Sequence, residues 1–229
     1  EQALRERADE LARVNKDLES FSYSVSHDLK TPLNTILGFG RLIREDYQGK
    51  LDTVLNDYLK RIEHSAIQMK SLIDDILNLS KISRQEIKKQ QTNLSQIALS
   101  IIEELKASQP QRVVKVDIQD NMIANVDKNL IHIALSNLLG NAWKFTGKTP
   151  DARIRFNKQI KNGKSIYSIK DNGAGFDMKR SENLFTPFRR LHSDQEFSGT
   201  GIGLAIVERV IERHGGRIWA EGEINKGAT

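Results

Sequence analysis

The chain has 229 residues, 38% of them hydrophobic and 28% charged, and carries a net charge of +5. It has no cysteine, which excludes disulfides and thiolate metal sites, and no apolar run long enough to span a bilayer. The 35 basic residues are interleaved with 30 acidic ones, which reads as a solvated mixed-charge surface and not as a nucleic-acid footprint. The start at Glu1 and the end at Gly-Ala-Thr, with no visible signal peptide, read as a fragment of something longer.

From the N-terminus, Leu4, Leu11, Leu18 and Val25 recur every seventh residue; Val14 and Phe21 supply the second seam position and Arg7 interrupts it. This spacing predicts a coiled coil running into a bundle helix. The stretch SHDLKTPL at 26–33 lies in its continuation, where the apolar positions are Leu29, Leu33, Ile36, Leu37 and Ile43. Pro32 has no amide hydrogen and its ring crowds the preceding turn, so a kink is expected just after His27. Residues 47–50 read as a turn with Gly49 as the helix stop, and Asp52 and Thr53 as caps for a second helix. Its stripe is Val54, Tyr58, Ile62, Ala66, Met69, Leu72, Ile73, Ile76 and Leu79. Two long helices joined by a short turn make an antiparallel hairpin. These stripes exceed what one hairpin can bury, so two hairpins are expected to pair as a dimeric four-helix bundle.

Past a short polar boundary at 88–92, strand-like pieces alternate with helical ones. Strands are expected at 113–118, 122–126, 152–157, 165–170 and 217–220, and helices at 95–107, 127–144 and 202–214. Lys161-Asn162-Gly163-Lys164 is a hairpin turn signal and His214-Gly215-Gly216 a helix stop. Helices on one face of a mixed sheet give an α+β sandwich. The expected domains are thus 1–91, a coiled coil with an all-α helical hairpin, and 92–229, an α+β domain.

Three short stretches in the second half carry chemistry. Asn137, Asn141 and Lys144 sit at i, i+4 and i+7, on one helical face, opposite Leu135, Leu138, Leu139 and Ala142. Carboxamide oxygens are hard neutral ligands for Mg²⁺ and an ammonium neutralises phosphate, although alone the trio also reads as an ordinary polar face. DNGAGFD at 171–177 follows a strand; a carboxylate such as Asp171 suits an exocyclic amine, yet Asp-Asn-Gly is also plain turn chemistry. GTGIGL at 199–204 opens a helix, where free amides and the positive dipole end attract anions.

In this order the three resemble the N, G1 and G2 boxes of the histidine-kinase ATP-binding domain, the GHKL-type fold shared with gyrase B and MutL, and LFTPFRRL at 184–191 resembles the F box. The resemblance implies ATP and Mg²⁺ as cofactors. Asn141 would coordinate the metal with help from Asn137, Lys144 would contact phosphate, and Asp171 would meet the adenine amino group. Gly173 and Gly175 would line the base pocket; Gly199, Thr200, Gly201 and Gly203 would frame the phosphates; residues 176–198 would form a mobile lid. Arg189 and Arg190 are left open between phosphate and solvent. Members of the family run on from a Gly-x-x-Phe motif into a last strand that this chain stops short of, so the sheet is expected to lack an edge.

SHDLKTPL resembles the H box of the same kinases, closest to phytochrome- or PAS-linked ones, and the first half their dimerisation and phosphoacceptor domain. Histidine's ordinary pKa of about 6.5 leaves much of the imidazole neutral and nucleophilic at neutral pH. Asp28 can accept a hydrogen bond from one ring nitrogen of His27, which orients the ring while the other nitrogen attacks. Thr31, one turn on, is where the resemblance implies a hydroxyl orienting water for dephosphorylation of a partner. The expected function is a cytoplasmic sensor histidine kinase core acting on itself and on a response-regulator receiver domain. Its upstream sensor domain lies outside this chain, and no nucleic acid or membrane segment is involved. An ATP-hydrolysing clamp of the same fold, or a non-catalytic dimeric scaffold, is the alternative; the clamp has no use for SHDLKTPL.

Overall fold

The computed structural model describes residues 7, 25, 26, 28–82, 86–191, 196, 197 and 199–229. They fall into two compact units, 1–81 and 82–229.

The first unit is a helical hairpin. Helix α1 is unbroken over 28–46, across Pro32, and α2 spans Thr53–Ile82. His27 and the coiled-coil positions Leu4, Leu11, Val14, Leu18 and Phe21 lie outside the described residues, while 28–46, where the kink just after His27 is expected, is helical throughout. The turn runs through Gly49 at φ 77, and the Asp52 carboxylate accepts the Leu55 N–H at 2.7 Å, capping α2 as its sequence predicts. The helices run antiparallel: Lys30 pairs with Asp74 near one end and Arg44 with Glu63 near the other. Between them Leu33, Ala66 and Ile73 are buried, with Leu37 and Leu77 packed against them. The predicted stripe of α2 divides. Ala66 and Ile73 face the hairpin seam, and Leu59, outside the predicted stripe, is buried as well, while Val54, Tyr58, Ile62, Met69 and Ile76 remain exposed. Leu29, Ile36 and Ile43 on α1 form a matching exposed row.

The second unit is the α+β sandwich. Strand β1 (Lys89–Asn93) pairs antiparallel with β3 (Ile123–Asp127), so the polar run read as a boundary is itself a strand. Its only buried residue is Thr92, which is why no apolar alternation betrays it. Strands β2 (Lys115–Ile118), β4 (Arg153–Lys161) and β5 (Lys164–Asp171) form a mixed sheet in the order β2-β4-β5. The β4–β5 hairpin closes through Asn162 and Gly163, both at positive φ, as the Asn-Gly signal predicts.

Helices α3 (Leu94–Ser108), α4 (Lys128–Phe145) and α5 (Gly203–Arg213) supply the core. Leu130, Leu139, Ile202, Ile206, Val207 and Val210 are buried there with Ile154 and Phe156 on the inner face of β4. Asn93 and Asp127 cap α3 and α4 with their side chains. His214 ends α5, where its Nε2 accepts the Asp127 N–H at 3.0 Å while Nδ1 lies 2.7 Å from the Val210 carbonyl.

One expectation fails at the C-terminal end. Residues 217–220 join no strand, and Trp219 among them is 50% exposed. The chain instead closes with a short ladder, β6 (Gly222–Glu223) against β7 (Gly227–Ala228). It docks on the loop after β5, where the Asn225 N–H bonds to the Ala174 carbonyl at 2.7 Å. Gly175, at φ 60, lies so close to the Glu223 and Gly227 carbonyls that a Cβ would overlap both. Gly175→Ala is therefore expected to cost more than about 2 kcal/mol, read as a lowered melting midpoint of the second unit.

Candidate functional site

Helix α4 organises the site. Its Asn137, Asn141 and Lys144 are all half-buried, whereas Leu139, Ala142 and Trp143 between them are buried. The polar row faces the loop that enters α5. Asn137 donates Nδ2 to the Ile133 carbonyl at 2.9 Å, so its carboxamide oxygen is the atom turned outward; a Cβ on Gly203 would lie 2.5 Å from it. Lys144 Nζ lies 3.1 Å from where a Cβ on Gly199 would stand, and 4.3 Å from the Phe145 ring centroid. Glycine at both positions keeps the backbone within reach of these side chains.

Ile202 caps α5 without a side-chain hydrogen bond, which leaves first-turn amides of that helix for an anion. Thr200 points its hydroxyl at the Ile202 N–H, 3.4 Å away. The loop is fixed from the other side by the Phe188 N–H donating to the Gly201 carbonyl at 3.0 Å. Gly201, at φ 75, has the Arg190 side chain and the Arg189 carbonyl against it. Arg190 also donates to the Phe197 carbonyl at 2.6 Å. Burial, and then the nearby charge of Arg190, push the Lys144 ammonium below its ordinary pKa. Two cations thus converge on one glycine loop, and of the two arginines left open by the sequence, Arg190 is the one drawn in.

The other end of the site is built on Asp171, which is buried to 8% exposure. Its carboxylate accepts the Gly173 N–H at 2.8 Å and is bonded by the Ala228 N–H as well. Burial outweighs both bonds and raises its pKa. Asn172 ties the loop to the start of β4: its Oδ1 accepts the Arg153 N–H at 2.7 Å and its Nδ2 donates to the Asp151 carbonyl at 2.8 Å. Gly173 lies against the end of α4, where a Cβ would come within 2.5 Å of the Phe145 carbonyl. That carbonyl accepts the Ala174 N–H at 3.1 Å.

Beside this loop lies a cavity of about 600 Å³ lined by Phe145, Gly173, Ala174, Phe176, Phe197 and Asn225 among others. Phe197 meets Phe145 edge-on at 5.0 Å, and Lys148 lies 5.3 Å from the Phe197 ring centroid. The structure therefore gathers Gly199, Gly201 and Gly203 along α4's polar row from Asn137 to Lys144, and Asp171, Gly173 and Gly175 on the loop beside the cavity. Asn141 lies one turn from Asn137 on the same helix. Phe145, Phe197, Asn172 and Ala228 escape sequence reasoning. Phe145 and Asn172 have a signal, since each directly follows a residue singled out above, Lys144 and Asp171; Phe197 and Ala228 are recruited only by tertiary folding. In the span 176–198 the described residues form a 3₁₀ helix at Met178–Asn183 and turns.

Of the expected phosphoacceptor group, Asp28 and Thr31 are exposed on α1, where the Thr31 carbonyl accepts the Thr35 hydroxyl at 3.1 Å. His27 lies outside the described residues, as does His192. No helix among the described residues is long and apolar enough to cross a membrane.

The profile of the His Kinase A phospho-acceptor domain matches residues 17–85. That of the histidine kinase-, DNA gyrase B- and HSP90-like ATPase matches residues 126–229. The methanogenesis regulatory histidine kinase FilI of Methanothrix harundinacea is 34% identical over 98% of this chain and 25% of its own length. Cyanobacterial phytochrome A of a Nostoc species is 33% identical over 99% of this chain and 29% of its own. The chain thus spans less than a third of the length of these relatives. Full-length ShkA, solved in complex with AMPPNP, shares the fold at a TM-score of 0.66 and 24% identity, over 91% of this chain and 44% of that one.

The electrostatics of Lys144 generate a prediction. A lysine whose folded pKa is depressed costs stability while it is charged, and the cost fades as the pH approaches the unfolded value of 10.5. Lys144→Met is expected to raise the nucleotide-free melting midpoint by about 2 °C at neutral pH. That gain shrinks in parallel melts run toward the unfolded lysine value.

Proposed function

The chain belongs to the histidine kinases, and from that premise we propose that it is the catalytic core of a sensor histidine kinase. In this reading it moves the γ-phosphate of ATP to His27 and then to an aspartate on a response-regulator receiver domain, in the cytoplasm. The observation that carries the proposal is the pairing on α4: a buried acceptor, Asp171, beside its C-terminal end, and a glycine loop with two converging cations along its polar face.

The ends suit the two parts of ATP. Asp171 accepts the exocyclic amine of adenine, with Gly173 and Gly175 letting its loop pack tightly against the end of α4 and the β6–β7 ladder. Lys144 and the amides of Gly199, Thr200, Gly201 and Gly203 hold the phosphates. The donor set fits Mg²⁺, because the outward atom of Asn137 is a hard neutral oxygen and Asn141 follows on the same face. Asn141, with Asn137, would hold the ion, which supplies charge neutralisation at the phosphate oxygens when bound.

At the phosphoacceptor, Asp28 accepts a hydrogen bond from one ring nitrogen of His27 and stabilises the positive charge that grows on the imidazole. The other nitrogen forms the N–P bond as the bond from the γ-phosphorus to the β-γ bridging oxygen breaks, and ADP leaves with that electron pair. The proton on the first nitrogen stays shared with Asp28. Thr31, one turn along, orients water for the opposing reaction, dephosphorylation of the regulator.

The working unit is a homodimer. The exposed rows on α1 and α2 are each apolar at heptad spacing, and a second hairpin covers both as a four-helix bundle. Ile36→Lys with Ile62→Lys is expected to yield monomers by light scattering while helicity persists; an intact dimer would refute this interface.

Incubation with γ-labelled ATP tests the kinase. The expected label is acid-labile and alkali-stable, and it is lost in His27→Ala and in Asn141→Ala, whose dimer remains intact. Free phosphate without protein label would overturn the reading in favour of an ATP-hydrolysing clamp.

A further inference from the structure

The loop between α3 and β2 carries no box of the sequence, yet it grips the end of α4. Gln109 caps α3, and the Arg112 N–H returns to the Gln109 carbonyl at 3.0 Å. The Gln109 side-chain oxygen accepts Trp143 Nε1–H at 2.9 Å and lies 3.5 Å from Arg112 Nη1. The Arg112 guanidinium stands 4.7 Å from the Trp143 ring centroid and donates Nη2 to the Thr146 hydroxyl at 2.9 Å. Thr146 is fully buried and its hydroxyl donates to the Ala142 carbonyl at 2.7 Å. Trp143 is buried too, at 3% exposure.

These contacts lie on the last turn of α4, where carbonyls have no donor within the helix. Thr146 and Gly147 serve the carbonyls of Ala142 and Lys144. The carbonyl of Phe145 is served from a distance, by the Ala174 N–H of the loop that carries Asp171. The same turn carries Phe145 in the cavity wall and sets the spacing to Gly173. A guanidinium is well matched to this position, because its planar fork reaches two acceptors while its face rests on an indole, which an ammonium cannot copy.

We infer that Arg112 is a positioning residue for nucleotide: by clasping Trp143 and Thr146 it fixes the α4 turn on which the base-binding loop hangs. This rests on the reading of Asp171 and its loop as the adenine site. Arg112 touches α4 at Trp143 and Thr146, on the turn that meets the base-binding loop through the Phe145 carbonyl, so its loss is expected to weaken nucleotide binding and to spare the transfer step once ATP is saturating.

The test uses the whole chain and two measurements, ADP binding by calorimetry and autophosphorylation against ATP concentration. Arg112→Met is expected to raise the ADP Kd and the KM for ATP about tenfold, with kcat within about twofold. Arg112→Lys, which keeps the cation over Trp143 without the fork, falls between. Thr146→Val, close to isosteric, repeats the shift and serves if Arg112→Met fails to fold. Unchanged ADP affinity in folded variants, or a fall in kcat as large as the rise in KM, overturns the inference. A wild-type chain that takes no label yet loses ADP affinity with Arg112 defeats the kinase reading and leaves the clasp standing. A chain that labels normally and binds ADP regardless of Arg112 defeats the clasp alone.

Discussion

The second unit turns on one hydrogen bond, from the Ala174 N–H to the Phe145 carbonyl. A helix cannot satisfy its final carbonyls from within, and here the missing donor comes from the loop that follows β5. The bond joins the helix bearing Asn137, Asn141 and Lys144 to the loop bearing Asp171. It holds them close enough that Gly173 has no space for a side chain. The dense core of α3, α4, α5 and β4 makes that junction rigid, since close-packed side chains transmit position with little give.

The same architecture stores charge where burial resists it. Lys144 is held below its ordinary pKa and Asp171 above its own, each chiefly by desolvation. Among the described residues no opposing charge relieves either: the charge acting on Lys144 is another cation, and Asp171 is met by main-chain amides. Such groups lower the stability of the empty fold and gain a partner when a ligand of matching charge and shape arrives, a recurring arrangement at functional sites.

Much of this is legible in the chain. Helices α3, α4 and α5 lie within a residue or two of their predicted limits, because each shows an apolar stripe with a cap or glycine stop beside it. The Asn137, Asn141 and Lys144 row follows from helical spacing alone. Strand β1 is illegible because its sequence, Lys-Gln-Gln-Thr-Asn, buries a single residue and owes its form to pairing with β3. Residues 217–220 mislead in the opposite sense, being apolar enough for a strand but unpaired. Arg190, Ala228 and Arg112 reach the site across long stretches of chain, and neither propensity nor periodicity encodes such meetings.

The anchoring of Asp171 has a consequence for chemical intervention. Its carboxylate is positioned by the amides of Gly173 and Ala228, which every amino acid except proline supplies, and Gly173 itself has no room for a side chain. A small-molecule inhibitor that presents an amine to this carboxylate would contact features that substitution at neighbouring positions can hardly alter. Escape would require replacing Asp171 itself, and with it the acceptor on which both amides depend.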